Sequence, residues 1–143
     1  VAVKHPYFYE ECYNILEKLV EKEYAGYGSS LILFELFGAL AKINVNAAYD
    51  AVNQYLNPPI KLLNPNRETF VYAKEIAMHS KTTYDSLHAA LMVQNNICTI
   101  ITEDLEDWRK MLSAWHKLKE KYKLNDLAII SPTKGIIKHH TNH

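Results

Sequence analysis

No apolar run in this 143-residue chain approaches the roughly 20 residues that a membrane-spanning helix needs, and no signal-peptide pattern opens it. A cytoplasmic protein is therefore expected. An excess of charge of either sign is also missing, since 16 Lys and Arg balance 16 Asp and Glu. Arginine is scarce, with only Arg67 and Arg109. Binding nucleic acid by broad neutralisation of phosphates usually demands a more basic chain. Any nucleic-acid role must then be local, through bound cations. Cysteine is limited to Cys12 and Cys98, both in apolar patterns without metal-ligand spacing. That usage suits buried thiols in a reducing cytosol, although two cysteines can bridge. Internal repeats, low-complexity segments and linkers are absent too. The length suits one domain with a sizeable core, over residues 1–135, with a C-terminal tail over 136–143.

What is present alternates between two periodicities. In "HPYFYEECYNILEKLVEKEY", Cys12, Ile15, Leu16, Leu19 and Val20 recur at helical spacing, and Pro6 suits the first turn. "AGYGSS" reads as a short strand or turn, with Ser29 or Ser30 capping the helix "LILFELFGALAKI". Asn46 is the expected cap of "AAYDAVNQYL", which Asn57-Pro58-Pro59 stops before the short strand "IKLL". Further helices are expected over 67–79 and from about 85 to 94. An Asn95-Asn96 turn leads into the strand "ICTII". After Asp104 a long amphipathic helix carries Leu105, Trp108, Leu112, Trp115 and Leu118 on one face, and "LAIISP" is the last strand. Helices alternating with short, continuously apolar strands predict an α/β fold, a sandwich of helices around a mainly parallel central sheet.

This alternation has a geometric consequence for the acids. A helix packed on a sheet runs antiparallel to the strand that comes after it. Asp85 at a helix start and Asp104 at the next strand's end are thus expected on one sheet edge, the carboxyl-end edge where open α/β sheets bind ligands. Glu35 is the only charge in the run from Leu31 to Ala41, about one turn inside its own helix. Burying such a carboxylate unpaired costs several kcal/mol or changes its protonation. Three carboxylates brought together repel unless cations intervene, and hard oxygen ligands suit Mg²⁺ or Mn²⁺.

A plainer reading stands beside this one. Asp85 and Asp104 are each explained singly as helix caps, and Glu35 by an ion pair with Lys42 or Lys81. His88 reads as a packed histidine rather than a base. Thr102 either bonds a carboxylate or metal-bound water, or only satisfies β-propensity. Trp108 and Trp115 read as core or interface, and His139, His140 and His143 as solvated.

Taken jointly, "SSLILFELFGAL", "YDSLHAALMVQNNICTIITED" and "LEDW" resemble the PIN-domain nucleases, which include VapC-type toxins of toxin–antitoxin pairs. The family pattern has Glu in "S-x-L-x-x-x-E-L", Asp opening "D-x-L-H-A-A", and Asp ending a "T-x-D" strand. Glu35, Asp85 and Asp104 occupy those positions, with Ser30 and Thr102 as supporting residues. Asp107, five residues after Thr102 and before an aromatic, is a further candidate ligand. The resemblance implies a PIN-like α/β/α sandwich and an endoribonuclease dependent on Mg²⁺ or Mn²⁺. It also implies an RNA substrate, a homodimer, and an antitoxin protein as a partner. The alternative is a catalytically silent PIN-like module that binds RNA or protein.

One departure bears on activity. The family opens with a strand ending in Asp just upstream of the first helix, yet nothing before His5 is acidic here. "VAVKHP" resembles the segment downstream of that motif. The expectation is that the first strand and its Asp are lacking, and that without them the chain is poorly active or inactive.

Overall fold

The structure is a computed structural model, and it describes residues 26–137. The helix expected in 5–24, with Cys12, and the histidines at 139, 140 and 143 lie outside the described residues. The chain divides into two compact units that meet in sequence at Asn64 and Pro65.

In the first unit, strand β1 (Gly26–Ser29) leads into helices α1 (Ser30–Ala41) and α2 (Val45–Leu56), then strand β2 (Ile60–Leu63). β1 and β2 pair in parallel, Gly26 opposite Ile60 through Ser29 opposite Leu63. The helix pair is the crossover that parallel pairing requires. Gly28 is needed where it stands. A Cβ there would lie 2.5 Å from the Tyr55 hydroxyl and 2.9 Å from Ile60 Cδ1. The space it leaves admits Tyr55, whose hydroxyl pKa is raised by burial and drawn partly back by a hydrogen bond received from the Ser29 backbone.

Ser29 rather than Ser30 caps α1, its Oγ accepting from Leu31 N at 3.1 Å. The cap of α2 is Asn44, not Asn46. Asn44 is extended (φ −157°, ψ 116°) and its Oδ1 accepts from Ala47 N at 3.0 Å, whereas Asn46 already lies inside the first turn. A capping side chain must belong to the residue whose backbone has not yet become helical, and two asparagines two apart do not reveal in sequence which one that is.

The second unit holds helices α3 (Arg67–Ser80) and α4 (Tyr84–Gln94), strand β3 (Thr99–Ile101), helix α5 (Leu105–Tyr122), and strands β4 (Ala128–Ser131) and β5 (Gly135–Ile137). β3 pairs in parallel with β4 across the α5 crossover, and β4 pairs antiparallel with β5. The strand "ICTII" shortens to three residues, and Gly135–Ile137 form a strand where a tail was expected from residue 136. Ser131 and Gly135 face each other across the Pro132–Lys134 turn, giving this apolar tripeptide a partner.

The core of this unit forms on α5. Trp108, Met111, Leu112, Ala114, Trp115 and Leu118 are buried against Ala73 and Ile76 of α3, Ala89, Ala90, Met92 and Val93 of α4, and Ile129 of β4. Burying a large side chain of this kind stabilises by about 3 kcal/mol. Trp115 also donates its indole N–H to the Asn125 carbonyl at 2.8 Å, so burial leaves that donor satisfied. Both tryptophans are therefore core residues. The described residues form an α/β fold with five helices and short, mainly parallel strands.

Two polar clasps tie α3 to α4. At the start of α3, Asn66 and Thr69 form a reciprocal capping box, with bonds of 3.2 and 2.9 Å. Gln94, at the end of α4, completes it. Its amide donates to Asn66 Oδ1 at 2.8 Å, and its carbonyl accepts from the buried Thr69 hydroxyl at 2.6 Å. The other clasp lies at the opposite end of the pair.

Candidate metal centre

α3 ends at Lys81 in the left-handed conformation (φ 60°), which turns the chain back towards α4. Under that turn the hydroxyls of Ser80, Thr82 and Ser86 are all buried and bond mutually at 2.8, 2.7 and 3.3 Å. Ser86 Oγ also lies 3.0 Å from the Thr82 carbonyl, and Thr82 N donates to Ser80 Oγ at 3.2 Å. Three hydroxyls can satisfy one another here because each both donates and accepts. The network fixes the entry to α4. The cap position falls at Thr83, so Asp85 is a first-turn residue rather than the cap.

Asp104 reaches the same edge from the other direction. β3 ends after Ile101, and Thr102 continues the ladder by donating its N–H to the Ile130 carbonyl at 3.0 Å. Thr102 Oγ1 then accepts from Asp104 N at 3.0 Å, and the Glu103 carbonyl accepts from Leu105 N at 2.9 Å. This tight turn starts α5. Asp104 occupies the N-cap position, yet its side chain makes no capping hydrogen bond. Asp107 comes next, in the first turn of α5.

The carboxylates of Asp85, Asp104 and Asp107 offer oxygens that all lie within 4.8 Å of one another. Asp104 is exposed and the other two are half-buried. At that separation each ionised pair repels by about 0.9 kcal/mol in water, and by about 3.5 kcal/mol at an effective dielectric of 20. Two features offset part of this. The starts of α4 and α5 carry the positive ends of their helix dipoles, and Lys110 Nζ lies 3.5 Å from Asp107 Oδ1 in an ion pair that is largely exposed. The donor set is all carboxylate, with no described histidine or cysteine in the group. Hard oxygens in a half-open setting fit a divalent cation of the Mg²⁺ or Mn²⁺ class, which keeps several waters and leaves positions for phosphate oxygens.

The sequence-expected residues divide accordingly. Asp85, Asp104 and Asp107 come together, and Thr102 bonds the Asp104 backbone rather than a carboxylate. Glu35 lies on α1 in the other unit and is exposed, so the burial penalty expected for its carboxylate does not arise. Ser30 is buried as the first residue of α1, in the same unit as Glu35. His88 is half-buried along α4.

Glu103 and the Ser80–Thr82–Ser86 cluster do not stand out from sequence pattern. Their only signal is the density of small hydroxyls in "HSKTTYDS" and the second acid of "TED". A second polar cluster lies on α3 and α5, where Glu75 pairs with Lys121 at 2.9 Å and accepts from the Tyr122 hydroxyl. The Tyr122 bond, then Lys121, hold the Glu75 carboxyl below its usual range. Tyr122 packs edge-on against Tyr72, with ring centroids 5.1 Å apart.

Among the described residues no helix is long and apolar enough to cross a membrane. No curated protein and no solved structure matches the chain significantly. The family model of the PIN domain matches residues 7–112, a span that includes all three clustered aspartates and Glu35. With its helices, short parallel strands and acidic cluster at a strand's carboxyl end, the chain belongs to the PIN-domain family of nucleases.

Proposed function

We propose that this chain is a divalent-metal-dependent endoribonuclease that hydrolyses RNA phosphodiester bonds. In this reading Asp85, Asp104 and Asp107 hold Mg²⁺ or Mn²⁺, with Glu35 contributing as the family motif implies. The observation that carries the reading is the approach of three carboxylates to within 4.8 Å in a PIN-family chain. That the family match runs across both units supports reading them as parts of one PIN-like domain. A bound divalent ion would activate water and offset charge on the scissile phosphate.

The chain's own residues supply the rest. Asp85 and Asp107, half-buried, each bring a carboxylate oxygen within 4.8 Å of the other and of Asp104, whose exposure leaves a side open for a phosphate backbone. Thr102 holds the Asp104 backbone so that the third carboxylate stays in register. Neutral overall charge fits recognition concentrated at this point rather than along a basic surface. Motif resemblance supports the finer reading of a VapC-like toxin, homodimeric and paired with an antitoxin.

The test is cleavage of a mixed RNA pool with Mn²⁺ or Mg²⁺, comparing the chain with its Asp85→Asn variant. Loss of cutting by at least about 100-fold is expected for the variant, as befits loss of a metal ligand in catalysis. Equal cutting by both proteins would sink the assigned site. RNA binding without cleavage by either would favour the silent-module alternative.

A further inference from the structure

The acid beside Asp104 is committed elsewhere. Glu103 turns its carboxylate to the β4–β5 turn, where both oxygens accept from the Ser131 hydroxyl at 3.0 Å. Oε1 also accepts from Thr133 N at 3.0 Å, and the Thr133 hydroxyl lies 3.2 and 3.1 Å from the two oxygens. Ser131 is 1% exposed, and its Oγ accepts from Lys134 N at 3.0 Å. Thr102 and Asp104, on either side of Glu103, are fixed to the Ile130 carbonyl and the Thr102 hydroxyl respectively. The turn bearing Asp104 is thus held to the sheet through Thr102 and Glu103, and Asp104 is bonded back onto Thr102.

We propose that Glu103 is a positioning residue for the metal centre: by gripping Ser131 and Thr133 it holds Asp104 beside Asp85 and Asp107 against their mutual repulsion. It does so as a hydrogen-bond acceptor and is not itself a ligand. The role rests on the metal-centre reading above. Mutual repulsion of the three aspartates pushes the 102–105 turn away from α4, and the carboxylate-to-turn bonds resist that displacement. Partners that orient metal ligands from behind typically change metal affinity by about 10- to 100-fold when removed.

The requirement is for acceptor geometry, not charge, so glutamine should substitute. Its carbonyl can accept from Thr133 N, and its amide can donate to the Ser131 hydroxyl, which reorients. A metal ligand or a purely electrostatic role would not survive that change.

Mn²⁺ binding is measured by the loss of the free-ion electron paramagnetic resonance signal, on the intact chain and on Glu103→Ala, Glu103→Gln and Thr133→Val. Folding is checked by circular dichroism. The expected result is binding weakened about tenfold in Glu103→Ala and restored near the starting value in Glu103→Gln. Thr133→Val, a milder change should the alanine variant fail to fold, weakens binding in the same direction and less. Glutamine as damaging as alanine would overturn the proposal, as would unaltered binding in both the alanine and valine variants. If the unsubstituted chain takes up no Mn²⁺, the metal-centre reading itself fails and carries the positioning role with it. Uptake by the unsubstituted chain with unaltered binding in both Glu103→Ala and Thr133→Val removes the positioning role alone.

Discussion

Replacing Asp104 by Ala separates the two explanations of this residue by the sign of one number. If Asp104 is a helix cap, its loss should destabilise the protein by about 1 kcal/mol. Its side chain makes no such bond, and its carboxylate lies within 4.8 Å of two others. Removing it in the absence of metal relieves two repulsions of about 0.9 kcal/mol each in water. Salt screens part of that, and losing an acid at the start of α5 costs about 0.3–1 kcal/mol of dipole interaction. The balance is a gain of at most about 1 kcal/mol, which for a chain of this size raises the melting temperature by up to roughly 3–4 °C.

Divalent metal should reverse the order. At 100 times the dissociation constant, Mn²⁺ stabilises the unsubstituted chain by about 2.7 kcal/mol, and Asp104→Ala should forfeit most of that. The assay is thermal unfolding by circular dichroism, in EDTA and again in Mn²⁺. A variant that melts lower in EDTA and keeps its full Mn²⁺ shift would refute the reasoning and return Asp104 to the role of a cap.

Two other perturbations test what surrounds the site. Ser86→Ala removes one member of the buried hydroxyl triad and leaves Ser80 and Thr82 short of a partner; urea unfolding should show a loss of about 1–3 kcal/mol, and an unchanged midpoint would mean the triad does not hold the α4 entry. For Glu75, the folded-state pKa lies below the usual 4.5 because of Tyr122 and Lys121. Its contribution is present above pH 4.5 and is lost as pH falls through the folded value. Glu75→Gln should therefore be less stable than the parent at pH 7, with the difference shrinking as pH falls below 4.5, and parallel pH profiles would count against the assignment.

How far the sequence reaches depends on the range of each interaction. The face of α5 that carries Trp108, Leu112, Trp115 and Leu118 follows from helical period alone, and it is the buried face. The meeting of Asp85 with Asp104 follows from helix-strand direction, a topological argument that needs no side-chain detail. The cap at Asn44 rather than Asn46 turns on a backbone angle at one residue, which composition does not encode. Strand β5 exists only because Ser131 and Gly135 pair across a turn, a non-local event in a segment with no strong pattern of its own. Glu103 is hidden for a similar reason. Its hydroxyl partners lie about 30 residues onward, and nothing in "TED" itself points to them.

The paired clasps on α3 and α4 have a consequence for how the protein opens. Asn66, Thr69 and Gln94 join the helices at one end, and Ser80, Thr82 and Ser86 join them at the other. A helical hairpin sealed at both ends cannot fray from either, so its amides should exchange with solvent as one cooperative block. Asp85 sits within that block, whereas Asp104 comes after a strand of only three residues. The two acids would then differ in what carries them: Asp85 moves only with a unit that opens all at once, whereas Asp104 follows a turn secured at a single point on the sheet, where Thr102 and Glu103 hold Ile130, Ser131 and Thr133.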